Sequence, residues 1–95
     1  MIQRFCFVKL LDDEVGTRAE LAELIRAQLI SAGADVVVGL PADDSAIRWD
    51  LSIVIAAASL EAWHALAMQP VMTGVFDEIA ARAAVVKAWT FEAIG

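Results

Sequence analysis

The order of segments in this chain predicts an α+β fold, in which helices cover one face of a four-stranded antiparallel sheet. Four short segments rich in β-branched and aromatic residues alternate with three segments of helical periodicity, in the order β-α-β-β-α-α-β. The 95 residues suffice for one domain, 1–95, and are too few for two. No repeat or linker interrupts them. This pattern is typical of a ferredoxin-like sandwich.

The first strand is predicted over residues 2–10, where apolar residues occupy both odd and even positions. Such a pattern indicates a strand that is covered on both faces. After a polar turn, Thr17 and Glu20 match the Thr-x-x-Glu capping box, so a helix is expected to begin there and to end at Gly33. The positions that recur at helical spacing form one stripe: Leu21, Leu24, Ile25, Gln28 and Leu29.

The second and third strands follow. Residues 36–38 are all valine, and Pro41 closes this strand near Leu40, which favours a place toward the sheet edge. The third strand is predicted over residues 49–57, with one parity wholly apolar: Trp49, Leu51, Ile53, Ile55 and Ala57. We expect this parity, together with Trp89 and Phe91 of the last strand, to lie on the sheet face that the helices leave open.

Two helices and a strand complete the chain. Ser59 is suited to cap the second helix, which Gln69 and Pro70 break, and Pro70 can open the third helix. The expected inward positions are Leu60, Trp63 and Ala67 in the second helix, and Val71, Val75, Phe76, Ile79 and Ala83 in the third. Glu78 can pair with Arg82 at i+4. Residues 85–91 predict the fourth strand.

The hydrophobic content predicts an assembly. It is 60%, and a domain of this size hides only about two-thirds of its unfolded surface, so part of the apolar surface should face another copy or a ligand. An apolar patch on an open sheet face is one that a soluble monomer avoids. We therefore expect a homodimer that pairs through the open sheet face into a dimeric α/β barrel.

Composition also excludes several classes of function. The chain has a net charge of −6 and its basic residues are scattered, so nucleic-acid binding is not expected. The longest apolar run, residues 53–58, is too short to span a bilayer, and no secretory signal is evident, so we expect a cytoplasmic protein without a membrane partner. One histidine, one cysteine and no glycine-rich loop lead us to expect no metal site and no cofactor.

Residues 1–10, Met-Ile-Gln-Arg-Phe-Cys-Phe-Val-Lys-Leu, resemble the start of the stress-responsive dimeric α/β-barrel domains, which begin Met-Ile-x-His before an apolar strand that ends in Lys. Later signatures of that family are an aromatic-led third strand, a Ser-x-Glu helix start and a His-Pro-x-His segment. Their counterparts here are Trp49-Asp50-Leu51, Ser59-Leu60-Glu61 and Gln69-Pro70-Val71-Met72. The resemblance implies a ferredoxin-like monomer that pairs sheet to sheet.

The departures from that family concern its chemistry. In polyketide-cyclase members, a helix tyrosine and the second histidine of His-Pro-x-His act on the substrate, and the matching positions here are Leu66 and Met72. Histidine positions of the family correspond to Arg4, Leu51 and Gln69. Because leucine and methionine cannot exchange protons, we expect the cyclase mechanism, and its catalytic residues, to be absent.

Three further side chains have chemical potential. His64 belongs to the one residue type that titrates near neutral pH, but it follows an inward-facing tryptophan and is expected on the helix surface. Cys6 lies in an apolar strand, where thiols are commonly inert. Arg4 lies in the same strand and needs a carboxylate or an anion; a structural salt bridge is the favoured reading and a bound anion the alternative.

The sequence thus predicts a small non-catalytic dimeric protein, with a small apolar or aromatic ligand held in a cavity between sheet and helices. The ligand-binding candidates are Arg4, Leu51, Leu66, Gln69, Met72 and Val75. The alternative is a cofactor-independent enzyme of the same superfamily, resembling a polyketide cyclase or a monooxygenase, that uses residues the sequence does not identify.

Overall fold

The computed structural model describes residues 1–95 and confirms the predicted ferredoxin-like α+β fold. Its elements, in chain order, are β1 (Ile2–Leu10), α1 (Arg18–Ser31), β2 (Asp35–Gly39), β3 (Leu51–Ala57), α2 (Leu60–Ala67), α3 (Pro70–Arg82) and β4 (Ala83–Glu92). The sheet order is β2-β3-β1-β4, and all neighbouring strands are antiparallel. As predicted, β2 lies at an edge, and β4 forms the other edge.

The helices form one layer against the sheet and enclose a single apolar core. Alternate residues of β1 and β3 point into it from the sheet, and one stripe of each helix closes it from above. Its fully buried members include Val8, Leu10, Leu21, Ile25, Leu29, Leu51, Ile53, Ile55, Met72 and Ile79.

The expectation for the face of β3 was wrong. Leu51, Ile53 and Ile55 are at most 1% exposed and belong to the core under the helices. The open side of β3 instead carries smaller or polar side chains at positions 52, 54 and 56. The reason is that burial under the helices removes the most apolar surface from water, so the more apolar side of the strand faces the helices. Trp89 and Phe91 do lie on the open face, 46% and 55% exposed.

The start of α1 also differs from the predicted capping box. Thr17 makes no side-chain cap; its hydroxyl donates to the carbonyl of Glu14 at 2.8 Å and accepts from Arg82 Nη2 at 2.6 Å. A 3₁₀ turn over Asp12–Thr17 runs directly into the helix, and the Thr17 hydroxyl is already bonded to Glu14 and Arg82, so the capping box does not form. Of the predicted stripe, Leu24 and position 28 are exposed, and Ala22 is buried instead.

The end of α3 is tied to the connection between β1 and α1. Arg82 donates through Nε to Glu14 at 2.8 Å, and its Nη1 lies 3.7 Å from Glu78, which confirms the predicted i+4 pair. The chain then enters β4 at Ala83 without a loop, so Ala83 begins a strand where a last helical position was expected.

Asp50 is the one buried polar side chain, 9% exposed, and it joins three segments. Its Oδ2 accepts from the backbone N–H of Leu10 at 2.8 Å, and its Oδ1 lies 3.3 Å from Arg18 Nη1. Its own N–H donates to the carbonyl of Val8. The carboxylate therefore anchors the end of β1, the entry to β3 and the start of α1.

We expect Asp50→Ala to destabilise the protein by about 1–3 kcal/mol, because the Leu10 N–H loses its buried acceptor. Asp44→Ala, at an exposed position, is the matched control and should change stability by less than about 0.5 kcal/mol. Urea unfolding of the three proteins at one protein concentration measures this. Equal stability of the two variants would contradict the role assigned to Asp50.

Candidate functional site

A cavity of about 290 Å³ lies between the β1–β4 side of the sheet and the helices α2 and α3. Its nine lining residues come from all four of these elements: Arg4, Cys6, Trp63, Ala67, Met72, Thr73, Phe76, Val86 and Ala88.

The cavity is apolar because of the alternation along the strands and the small residues around it. Cys6, Val86 and Ala88 alternate onto the helix-facing side of β1 and β4. Ala67 and Ala88 have side chains of one carbon, so the layers do not close completely at this point. The ring of Trp63, only 8% exposed, forms one wall.

Arg4 is the one charged residue of the lining. Its Nη1 donates to Thr90 Oγ1 at 2.9 Å, and its guanidinium carbon lies 5.5 Å from the ring centroid of Trp63. The ion pairs of the structure involve Arg18 and Arg82, so the favoured expectation of a salt bridge to Arg4 was wrong. Its cross-strand neighbours, Ile55 and Thr90, offer no carboxylate.

Cys6 is the other titratable side chain that lines the cavity. It is 2% exposed, and burial raises the pKa of its thiol, while the positive charge of Arg4 lowers it by less. Near neutral pH the thiol is therefore protonated, which makes it a weak donor toward the cavity and a poor nucleophile.

The structure brings together two of the six predicted ligand-binding residues. Arg4 and Met72 line the cavity. Leu51 and Val75 are buried in the core outside the lining, and Leu66 packs partly buried against that core. Gln69 is exposed at the start of α3.

Trp63 and Cys6 were not among the predicted ligand-binding residues. The sequence did carry a signal for Cys6, since it follows Arg4 by two positions in a strand and must share its face. His64 is exposed on α2 and does not line the cavity, as expected from its position after Trp63.

The opposite side of the sheet carries a second apolar feature. A shallow groove of about 720 Å³ runs along the open side of β1 and β4, beside the last residues of the chain. Five of the seven aromatic side chains lie on this side, and their rings contact in pairs: Phe5 with Phe91 at 5.7 Å, Phe7 with Trp49 at 5.8 Å, and Phe7 with Trp89 at 6.0 Å between centroids.

The structure contains neither a membrane-spanning helix nor a cluster of metal ligands. No helix has the length and apolar character needed to cross a membrane. No three or more His, Cys, Asp or Glu side chains cluster as ligands for a metal ion.

Solved structures of other proteins share this fold. A dimeric ferredoxin-like protein of unknown function from Thermobifida fusca has a TM-score of 0.81 at 17% identity, covering 95% of this chain and 88% of that one. A second such dimeric protein, from Bacteroides fragilis, has a TM-score of 0.76 at 16% identity, with 96% and 94% covered. An antibiotic biosynthesis monooxygenase has a TM-score of 0.74 at 9% identity, with 100% of both chains covered.

At these identities the similarity shows the fold alone. No family model matches the sequence. No curated protein matches it either.

The state of Cys6 gives a pH prediction. Because its folded pKa is raised above the ordinary value of 9.0, the unfolded chain loses this proton first as the pH rises. The free energy of unfolding should therefore fall above about pH 9 in the wild type and fall less in Cys6→Ala. Urea unfolding between pH 7 and 10.5 measures this difference. Parallel pH profiles of the two proteins would contradict the raised pKa.

Proposed function

We propose that this chain is a homodimeric, non-catalytic ferredoxin-like protein that binds a small aromatic or apolar acid in the cavity between its sheet and α2 and α3. Arg4 anchors the acid group, and Trp63, Met72 and Phe76 surround the apolar part. The observation that carries this proposal is the guanidinium of Arg4, which lines an apolar cavity without a carboxylate partner.

The geometry around Arg4 suits a ligand with one anionic end. Thr90 accepts one hydrogen bond from Nη1 of Arg4. The other N–H donors of the guanidinium remain for a ligand carboxylate. A partly desolvated cation without a counter-charge is unfavourable, so a bound anion would stabilise it. The ring of Trp63 lies beside the guanidinium and can also pack against an aromatic ligand.

The size of the cavity limits the ligand. Its volume of about 290 Å³ lies just below the range of about 300–1,000 Å³ found for small-molecule sites, so only a small ligand fits. A monocyclic aromatic acid, such as a benzoate or a phenylacetate, is of suitable size. The resemblance to the stress-responsive dimeric α/β-barrel domains also supports a ligand in the cavity between the sheet and α2 and α3.

The chemistry of the lining supports binding without catalysis. A general acid or base works best with a pKa near the operating pH, and the titratable groups here are a guanidinium and a protonated thiol. The positions that match the cyclase acid/base pair are Leu66 and Met72.

The likeness to an antibiotic biosynthesis monooxygenase favours a second candidate, a cofactor-independent oxygenase acting on a substrate in this cavity. Ligand-dependent oxygen consumption in an oxygen electrode would support that candidate.

The open face of the sheet supports the homodimer. It presents the clustered rings of Phe5, Phe7, Trp49, Trp89 and Phe91 to the outside. Aromatic residues are the side chains most enriched in the buried centres of interfaces. A second copy would cover this side with an identical apolar surface. Two solved proteins of similar fold are described as dimeric, which is consistent with a homodimer here.

We expect benzoate or phenylacetate to bind the wild type at least about tenfold more tightly than the matched neutral amides, because only the acids pair with Arg4. Isothermal titration calorimetry measures both affinities. In Arg4→Met, which keeps an unbranched side chain but removes the guanidinium, the preference for the acid should disappear.

Arg26→Met is the matched control, since Arg26 is exposed on α1 and outside the cavity, and it should keep the full preference. The proposal is contradicted if acid and amide bind equally to the wild type, or if both variants lose the preference to the same degree.

For the dimer, we expect Trp89→Ser to weaken self-association by roughly thirtyfold or more, as the loss of an interface tryptophan typically costs about 2 kcal/mol or more. Met68→Ser is the control, because Met68 is 82% exposed at the helix side of the molecule. Sedimentation velocity over a concentration series measures both. A monomeric wild type at micromolar concentration would refute the homodimer.

A further inference from the structure

Under the cavity, three pairs of residues face each other across β1 and β4. The register pairs Arg4 with Thr90, Cys6 with Ala88, and Val8 with Val86. Because alternate residues of a strand share a face, these pairs form three successive rows, about 6.7 Å apart, on the side of the helices. Along the strands, the sheet under the cavity therefore changes from a polar row, through a row of small side chains, to an apolar row.

The charge of Arg4 is held over the first of these rows. Its Nη1 donates to the hydroxyl of Thr90, its cross-strand neighbour, at 2.9 Å. Since a threonine side chain is short, this bond keeps the guanidinium close to the polar row and prevents it from extending along the cavity. The ring of Trp63, 5.5 Å from the guanidinium carbon, lies at the same end.

Val86 limits the cavity at the other end of the three rows. It lines the cavity two rows, about 13 Å, from the Arg4–Thr90 pair. A hydrogen bond to the guanidinium takes about 3 Å of this length, and a van der Waals contact with a valine methyl takes about 4 Å. About 6 Å remain for the ligand, which is roughly the distance from a carboxylate to the far carbon of one aromatic ring.

The cavity is open to solvent between Ala88 and Thr73. Both of these lining residues are exposed, whereas Cys6 and Met72, which line the cavity elsewhere, are at most 2% exposed. A substituent that leaves the ring toward this open side can extend into solvent. A substituent that continues along the strands meets Val86 instead.

We propose that the bound aromatic acid lies along the strands, with its carboxylate at the Arg4–Thr90 pair, its ring over the row of small side chains, and its para position against Val86. This inference rests on the ligand proposed above and adds its orientation. Val86 is then the residue that determines specificity. The site accepts monocyclic acids that are unsubstituted or meta-substituted, and it discriminates against para-substituted ones.

The test compares 3-ethylphenylacetate with 4-ethylphenylacetate, two isomers with the same charge and nearly the same apolar surface. The wild type should bind the meta isomer at least about tenfold more tightly, because only the para ethyl group meets Val86. Val86→Ala makes room at that end and should reduce this preference to about threefold or less.

Val85→Ala is the matched control. Val85 is the preceding residue of β4 and is 38% exposed, against 39% for Val86, but its side chain faces the open side of the sheet. This variant should keep the full preference for the meta isomer. Isothermal titration calorimetry measures the affinities, and circular dichroism checks that both variants are folded.

The proposed orientation is overturned if the wild type binds the para isomer as tightly as the meta isomer, or more tightly. It is also overturned if the two variants show the same preference. In either case the ligand proposal stands, provided that phenylacetate still binds more tightly than its amide. A wild type that binds none of these acids overturns both the ligand and its orientation.

Discussion

The structure depends on one constraint: a single layer of helices covers a sheet that is apolar on both faces. The central strand β1 shows this most clearly, because Cys6 and Val8 pack under the helices while Phe5 and Phe7 point the other way. Helices α1, α2 and α3 bury the first set. Nothing within one chain is left to bury the second, so the free energy available from that face can be gained only by association.

The same two strands carry both proposed sites. Arg4 and Cys6 of β1, with Ala88 of β4, line the cavity, and the residues between them form the aromatic face. Because side chains alternate with a period of two, a shift of one residue in this register would exchange the two sets. The buried carboxylate of Asp50, bonded to the N–H of Leu10, holds the end of β1 and so helps to fix that register.

The sequence predicted the secondary-structure elements more accurately than the tertiary contacts that each element makes. Periodicity and turn residues placed all four strands and three helices, since these patterns arise from local geometry. Alternation in β3 showed that one parity is more apolar, but it cannot show which parity the helices cover, and the assignment of Leu51 and Ile53 to the open face was therefore wrong. The capping box at Thr17 failed because a tertiary contact with Arg82, 65 residues away, uses the hydroxyl.

The candidate site was predicted only in part for a similar reason. Arg4 was identified because a guanidinium in an apolar strand needs a partner, yet the absence of a carboxylate beside it depends on the strand pairing. Met72 was reached through the family resemblance, whereas Trp63 was predicted from periodicity only as an inward-facing residue. Which inward-facing residues leave a cavity between them depends on how the helices pack on the sheet, and no local pattern encodes that packing.

We propose that a second copy of the chain covers the open aromatic face. Isotope-filtered nuclear Overhauser spectroscopy on a dimer mixed from labelled and unlabelled chains tests it most directly. We expect intermolecular contacts between the methyl groups of Val37 and Val54 and the rings of Phe5, Phe7 and Trp89. Intermolecular contacts confined to the helices, or none at a concentration where the protein sediments as a dimer, would contradict it.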